Sequence, residues 1–92
     1  MLLSVIDARM LDDVHQRALA RLVECVGDDI LEGVVKDCLS RMELTRVTAP
    51  QELLLLGDCL TRKGKLASKH GGTIAMMGRL MRTRAILLGA RI

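Results

Sequence analysis

Three cysteines, two histidines and two pairs of adjacent aspartates are the groups in this chain with the chemistry for catalysis or metal binding. Cys25, Cys38 and Cys59 are odd in number and widely spaced, and each lies in an apolar helical pattern. That arrangement predicts buried thiols in a reducing compartment, not a disulfide framework. No Cys-x-x-Cys occurs, and zinc would need cysteines assembled with His15 and His70 across long spacings, so no metal site is expected. Asp12-Asp13 and Asp28-Asp29 read as acids that open helices. His15 falls on the apolar side of its helix and His70 in a turn. None of these groups has a nucleophile or base partner at motif spacing. No catalytic residue is assigned, and neither an enzyme nor a cofactor is expected.

The most specific local pattern is Leu66-Ala67-x-x-x-Gly71-x-Thr73-x-Ala75-x-Met77-x-Arg79-Leu80-x-Arg82. It resembles the helix-turn-helix of bacterial repressors, over residues 65–82. There an Ala packs on the first helix, a Gly turns the chain, and a Ser or Thr caps the recognition helix. The resemblance implies a small DNA-binding regulator. Thr73, Arg79 and Arg82 would lie on the nucleic acid, and Lys63, Lys65 and Lys69 on phosphates. The segment departs from the pattern at Gly72, where an apolar residue belongs. Its outward positions Ile74, Ala75 and Gly78 also offer no hydrogen bonds to base edges. The competing reading, and the leading one, is a Gly-Gly turn between two packed helices. Lys69 to Thr73 could receive an anion at a helix start, but the phosphate-loop spacing is absent.

Positioning these residues requires helices. The pattern predicts an all-α fold, a small bundle of four main helices at about 12–26, 29–44, 49–63 and 73–88, with room for a short helix at 65–70. In the first, Leu11, Val14, Ala18, Leu22, Cys25 and Val26 gather on one face, and Gly27 stops it. The second opens on Asp29-x-x-Glu32, a capping-box spacing, and carries the stripe Leu31, Val34, Val35, Cys38, Leu39 and Met42. The third opens on Thr48-x-x-Gln51 and stops at Gly64. Leu53, Leu56 and Leu60 share a face there, while Leu54 and Leu55 point away. In the fourth, capped by Thr73, Ile74, Met77, Met81, Ala85 and Leu88 form one stripe. Met76, Leu80 and Leu87 form another. Met1–Ile6 is the one strand candidate.

Half of the 92 residues are apolar, yet none is Phe, Trp or Tyr. The length gives a single helical domain, 1–92, with a thin core. Without aromatic rings there is no cage for methylated amines and no stacking platform for single-stranded nucleic acid. The supply of Leu and Met in the second half exceeds what one small core hides. Leu54, Leu55, Met76, Leu80, Arg84 and Leu87 are therefore the expected protein interface, with Arg84 at its rim. The expected function is a regulatory or adaptor module working through helix-mediated association, most simply as a homodimer, with another helical protein as the other partner. DNA binding is the alternative. Residues 1–45 carry five Lys/Arg against nine Asp/Glu, and residues 46–92 nine against two. That asymmetry suits an anionic partner, or halves that pack together and cancel. No apolar run approaches the roughly 20 residues a membrane span needs. No basic segment precedes the N-terminal apolar stretch, so a cytoplasmic protein is the default.

Overall fold

Gly27 decides how the first two long helices meet. Its φ of +94° suits glycine, and this one residue both ends α2 (Asp13–Val26) and caps the start of α3 (Asp28–Arg41). The computed structural model describes residues 2–67 and 69–92. Before α2 come one helical turn, α1 (Leu2–Val5), and a 3₁₀ turn, Ala8–Met10. After α3 come two longer helices, α4 (Pro50–Leu66) and α5 (Gly71–Leu87). The fold is all-α.

The four expected long helices are present, each starting one or two residues from its expected position. The expected Asp29–Glu32 capping box is not the start of α3, because Gly27 brings the helix in one residue earlier. In α4 the cap is Ala49 and Pro50 opens the helix, where its missing N–H costs nothing. Thr48 pairs instead with Glu52, whose Oε1 accepts from the Thr48 N–H at 2.9 Å and the hydroxyl at 3.2 Å. Thr73 does not cap α5. The turn residue is His70, at φ +59°, and both glycines that follow lie inside the helix. The short helix at 65–70 does not form as a separate element. Lys65 and Leu66 complete α4, Ala67 is extended, and Ser68 lies outside the described residues.

Glycines explain why α4 continues past Gly64. A Cβ on Gly57 would lie 2.6 Å from the Gly78 carbonyl oxygen. One on Gly64 would collide with the Gly71 carbonyl and the Ala75 backbone. The two contacts are seven residues apart on each helix, about 10 Å along the axis. So α4 and α5 run antiparallel with their backbones nearly touching. Gly64 is an interface residue here, not a helix stop.

The core gathers on the inward faces of α2 to α5. Leu19 and Val23 of α2 meet Leu31, Val35 and Leu39 of α3, Leu53, Leu56 and Leu60 of α4, and Ile74, Met77 and Met81 of α5 in one buried cluster. The stripes expected for α3 and α5 are the ones found. The α2 stripe is corrected by a rotation of the helix. Val14 is 74% exposed and Cys25 is exposed, while Leu19, Val23 and Val26 are buried. Asp12 caps this helix through the His15 N–H, and the Gln16 amide reaches back to the Ala8 and Leu11 carbonyls. Those anchors set the face that Leu19 and Val23 present.

The strand candidate at the N-terminus is helical over Leu2–Val5; Met1 lies outside the described residues. Beyond it, Ile6 and Val47 form an isolated parallel bridge. The Val47 N–H donates to the Val5 carbonyl at 2.7 Å, and the Asp7 N–H to the Val47 carbonyl at 2.9 Å. Both side chains are buried, so the linker before α4 is a core element.

Candidate functional site

The expected interface residues do not form one surface. At about 100° per residue, Leu54 lies beside the glycine face of α4, which α5 covers, and it is buried. It cannot meet a partner. Leu55 is half exposed, but on the opposite side of α4, toward α3. Arg84 is not a free rim cation. Its Nε–H donates to the Met10 carbonyl at 3.2 Å, and Nη1 lies 3.5 Å from Asp12 Oδ2. It ties α5 to the turn that precedes α2.

Three of the six remain together. Met76, Leu80 and Leu87 follow one line along α5, opposite its glycine face and roughly 130° round from its core stripe. Met76 is 55% exposed and Leu87 67%, while Leu80 packs partly on the core. Thr83 shares the line, its hydroxyl turned back to the Arg79 carbonyl at 3.0 Å. On the side of α5 that faces α4, away from the line, Arg82 Nε pairs with Asp58 Oδ1 at 2.8 Å. Arg79 is exposed. The outer face of α5 is thus an apolar strip flanked by Arg84, which is ion-paired within the chain, and by Arg79, which is exposed.

The basic residues assigned to nucleic acid are dispersed in the same way. Lys63 pairs with Asp37, and Arg82 with Asp58, whereas Lys65, Lys69 and Arg79 are exposed and Thr73 is half-buried. A helix-turn-helix reader holds its two helices at roughly 90–120° so that one can enter the groove. Here the α4 and α5 backbones stay in contact at both Gly64–Gly71 and Gly57–Gly78. Of the Gly-Gly turn reading, the two packed helices match that geometry, but the turn falls at His70 and the glycines lie within α5. Charge cancellation between the halves is also partly realised, through Lys63–Asp37 and Arg84–Asp12.

No protein family, curated protein or solved structure matches this chain.

The cysteine reading needs a correction. Cys38 and Cys59 are joined as a disulfide, and only Cys25 is a free thiol. The pairing follows from packing. Cys38 is on the stripe of α3 that faces α4, and Cys59 on the flank of α4 that faces α3. Their Cα atoms are 5.9 Å apart, within the span a disulfide bridges. Sequence spacing carries no trace of this, because the two positions are 21 residues apart on different helices. Among the described residues no cluster of three or more His, Cys, Asp or Glu is placed to hold a metal ion. Their helices include none long and apolar enough to cross a membrane.

The disulfide floors a groove of about 380 Å³ between α3 and α4. Met42, Leu55 and Leu66 supply its apolar walls, and Arg41, Arg62 and Lys63 surround it with cations. Asp37 lies beside two of these, ion-paired to Lys63 and 3.5 Å from the Arg41 Nε. The Lys63 hydrogen bond, opposed by some desolvation and aided by the charges of Lys63 and Arg41, holds the Asp37 carboxyl below its ordinary range. Arg62 is exposed, with no ion pair to any described residue. The sequence signal for this groove was Leu55, Cys59, Arg62 and Leu66, a helical line that the reading of Leu54 and Leu55 as a pair obscured.

Proposed function

We propose that this chain is a non-enzymatic regulatory or adaptor module that pairs with a second copy of itself through the outer face of α5. The observation that carries the reading is the line Met76, Leu80 and Leu87 on the outer side of α5, with Met76 and Leu87 exposed and Leu80 partly buried. An apolar helix face in water is stabilised by covering it, and unbranched Met adapts to an irregular partner surface. A second copy suits the strip because its line is uncharged, and of the two arginines that flank it Arg84 already has a carboxylate partner. The strip is also nearly symmetric about its middle. In an antiparallel two-fold pairing, Met76 of one copy meets Leu87 of the other, and Leu80 meets Thr83.

A stable pair of standard size covers about 800 Å² per subunit. The chain exposes 5511 Å², so the pairing would cover roughly a seventh of it, more than one helix strip alone. Flanking residues such as Arg79 and Ile86, also exposed, would complete the interface.

Sedimentation equilibrium tests the reading. The wild-type chain should be a dimer at micromolar concentration. Met76→Glu with Leu87→Glu should be a monomer of unchanged helical circular dichroism, since neither side chain is buried. A wild-type chain that stays monomeric up to roughly 100 µM, a free energy of association weaker than about −5.5 kcal/mol, sinks it.

A further inference from the structure

We infer that the α3/α4 groove is a binding site for a free, medium-chain aliphatic carboxylate, its chain on the disulfide floor and its head on Arg62. The inference is independent of self-pairing, because the groove lies on the flank of α4 opposite the side that α5 covers.

Size narrows the occupant first. A volume of about 380 Å³ is at the lower end of small-molecule sites, which span roughly 300–1,000 Å³. It suits one short chain and is too small to seat a helix. The lining narrows it further. Cys38–Cys59, Met42, Leu55 and Leu66 offer apolar, flexible or polarisable contacts. The chain has no aromatic residue, so a nucleotide or other planar anion would find no ring to stack on. An aliphatic chain needs none.

Charge complementarity selects the head group. Three cations border the groove against one nearby carboxylate, Asp37, which is engaged by Lys63 and Arg41. Arg62 is left with its guanidinium donors uncommitted among the described residues. A guanidinium accepts a carboxylate in a two-point geometry that an ammonium cannot reproduce. Leu66 is 86% exposed on the next turn of α4, at the end of the groove, where it would lose solvent contact as the chain settles.

Isothermal titration with decanoate, decanol and decyltrimethylammonium, followed in parallel by the NMR shifts of the Met42 and Leu55 methyl groups, tests the assignment. Decanoate should saturate one site and move both methyl signals. Decanol and the ammonium should bind at least tenfold more weakly. Arg62→Gln should weaken decanoate about tenfold, the value of a charge-assisted hydrogen bond, while Arg62→Lys restores part of the loss. Leu66→Ser should weaken decanoate and decanol alike. Because both positions are exposed, these variants keep the wild-type helical signal. Three results each overturn the inference: no saturable decanoate binding, equal binding of decanol, or decanoate affinity indifferent to Arg62→Gln. Binding to anionic phospholipid vesicles without binding to free decanoate overturns it as well. Running the titration on the Met76→Glu/Leu87→Glu chain separates it from self-pairing, since groove affinity should be unchanged there.

Discussion

Glycines at two kinds of position do opposite jobs in this chain. Gly57 and Gly78 hold open the space in which two helix backbones meet, and a methyl group at either would press on backbone atoms of the facing helix. Gly57→Ala should therefore cost about 1–3 kcal/mol, the range for overpacking a well-filled interior. Gly72 lies in the first turn of α5 with nothing within 4 Å of an added Cβ. Gly72→Ala should be neutral or stabilising by up to about 1 kcal/mol, by restricting the unfolded chain. Urea unfolding midpoints of the two variants check the pair, and equal effects would contradict the close-packed hairpin. Asp37 carries a pH signature at the same scale. Its carboxyl is held below the ordinary value of 3.8 chiefly by the Lys63 hydrogen bond. A depressed folded value contributes stability that is complete above the unfolded value and is lost as pH falls through the folded one. The wild-type melting temperature should thus fall below about pH 4, and Asp37→Asn should flatten that part of the acid limb. Asp12 is shifted the same way, by the His15 N–H first and then by the His15 ring, so a slope should survive in the Asp37 variant.

Between elements, three ties join segments that are far apart in sequence. The Cys38–Cys59 bond staples α3 to α4. Closing a loop of that length limits the unfolded chain, so Cys38→Ala with Cys59→Ala should lose about 3 kcal/mol. Cys25→Ser, on the exposed side of α2, should lose little. Denaturant titration with and without reductant checks both. The second tie is Arg84, reaching the Met10 carbonyl across 74 residues of separation and Asp12 beside it. Arg84→Ala should speed amide exchange in residues 8–16 before it affects the α4–α5 hairpin. The third is Gln51, whose amide exchanges two 3.0 Å hydrogen bonds with the Arg91 backbone and so pins the C-terminal tail to the start of α4. Helix existence was legible in the chain because the apolar periodicity of α3 and α5 is regular. Helix boundaries were less so. Capping signals such as Asp29–Glu32 and Thr73 are short, and tertiary contacts at Gly27 and Gly64 outweigh them.

For the whole molecule, the organising fact is that α4 and α5 form a tight antiparallel pair, with the apolar strip of α5 on one outer side and the cation-bordered groove on the other. The absence of aromatic residues makes this arrangement sensible. Without large rings, helices reach close packing through glycine and alanine contacts, and the Leu and Met that remain spread over more than one face. The sequence by itself determined the all-α class, the four long helices, the core stripes of α3 and α5, and the surplus of apolar residues on α5, because each is written in local periodicity. Only the tertiary structure decided which of Leu54 and Leu55 is hidden, that Cys38 meets Cys59, that Arg84 and Lys63 are committed to partners, and which face of α2 turns inward. Those outcomes depend on which helix lies beside which, and at what rotation. A rotation of α2 by a fraction of a turn exchanges Val14 for Leu19 at the core while leaving the local pattern still recognisably helical.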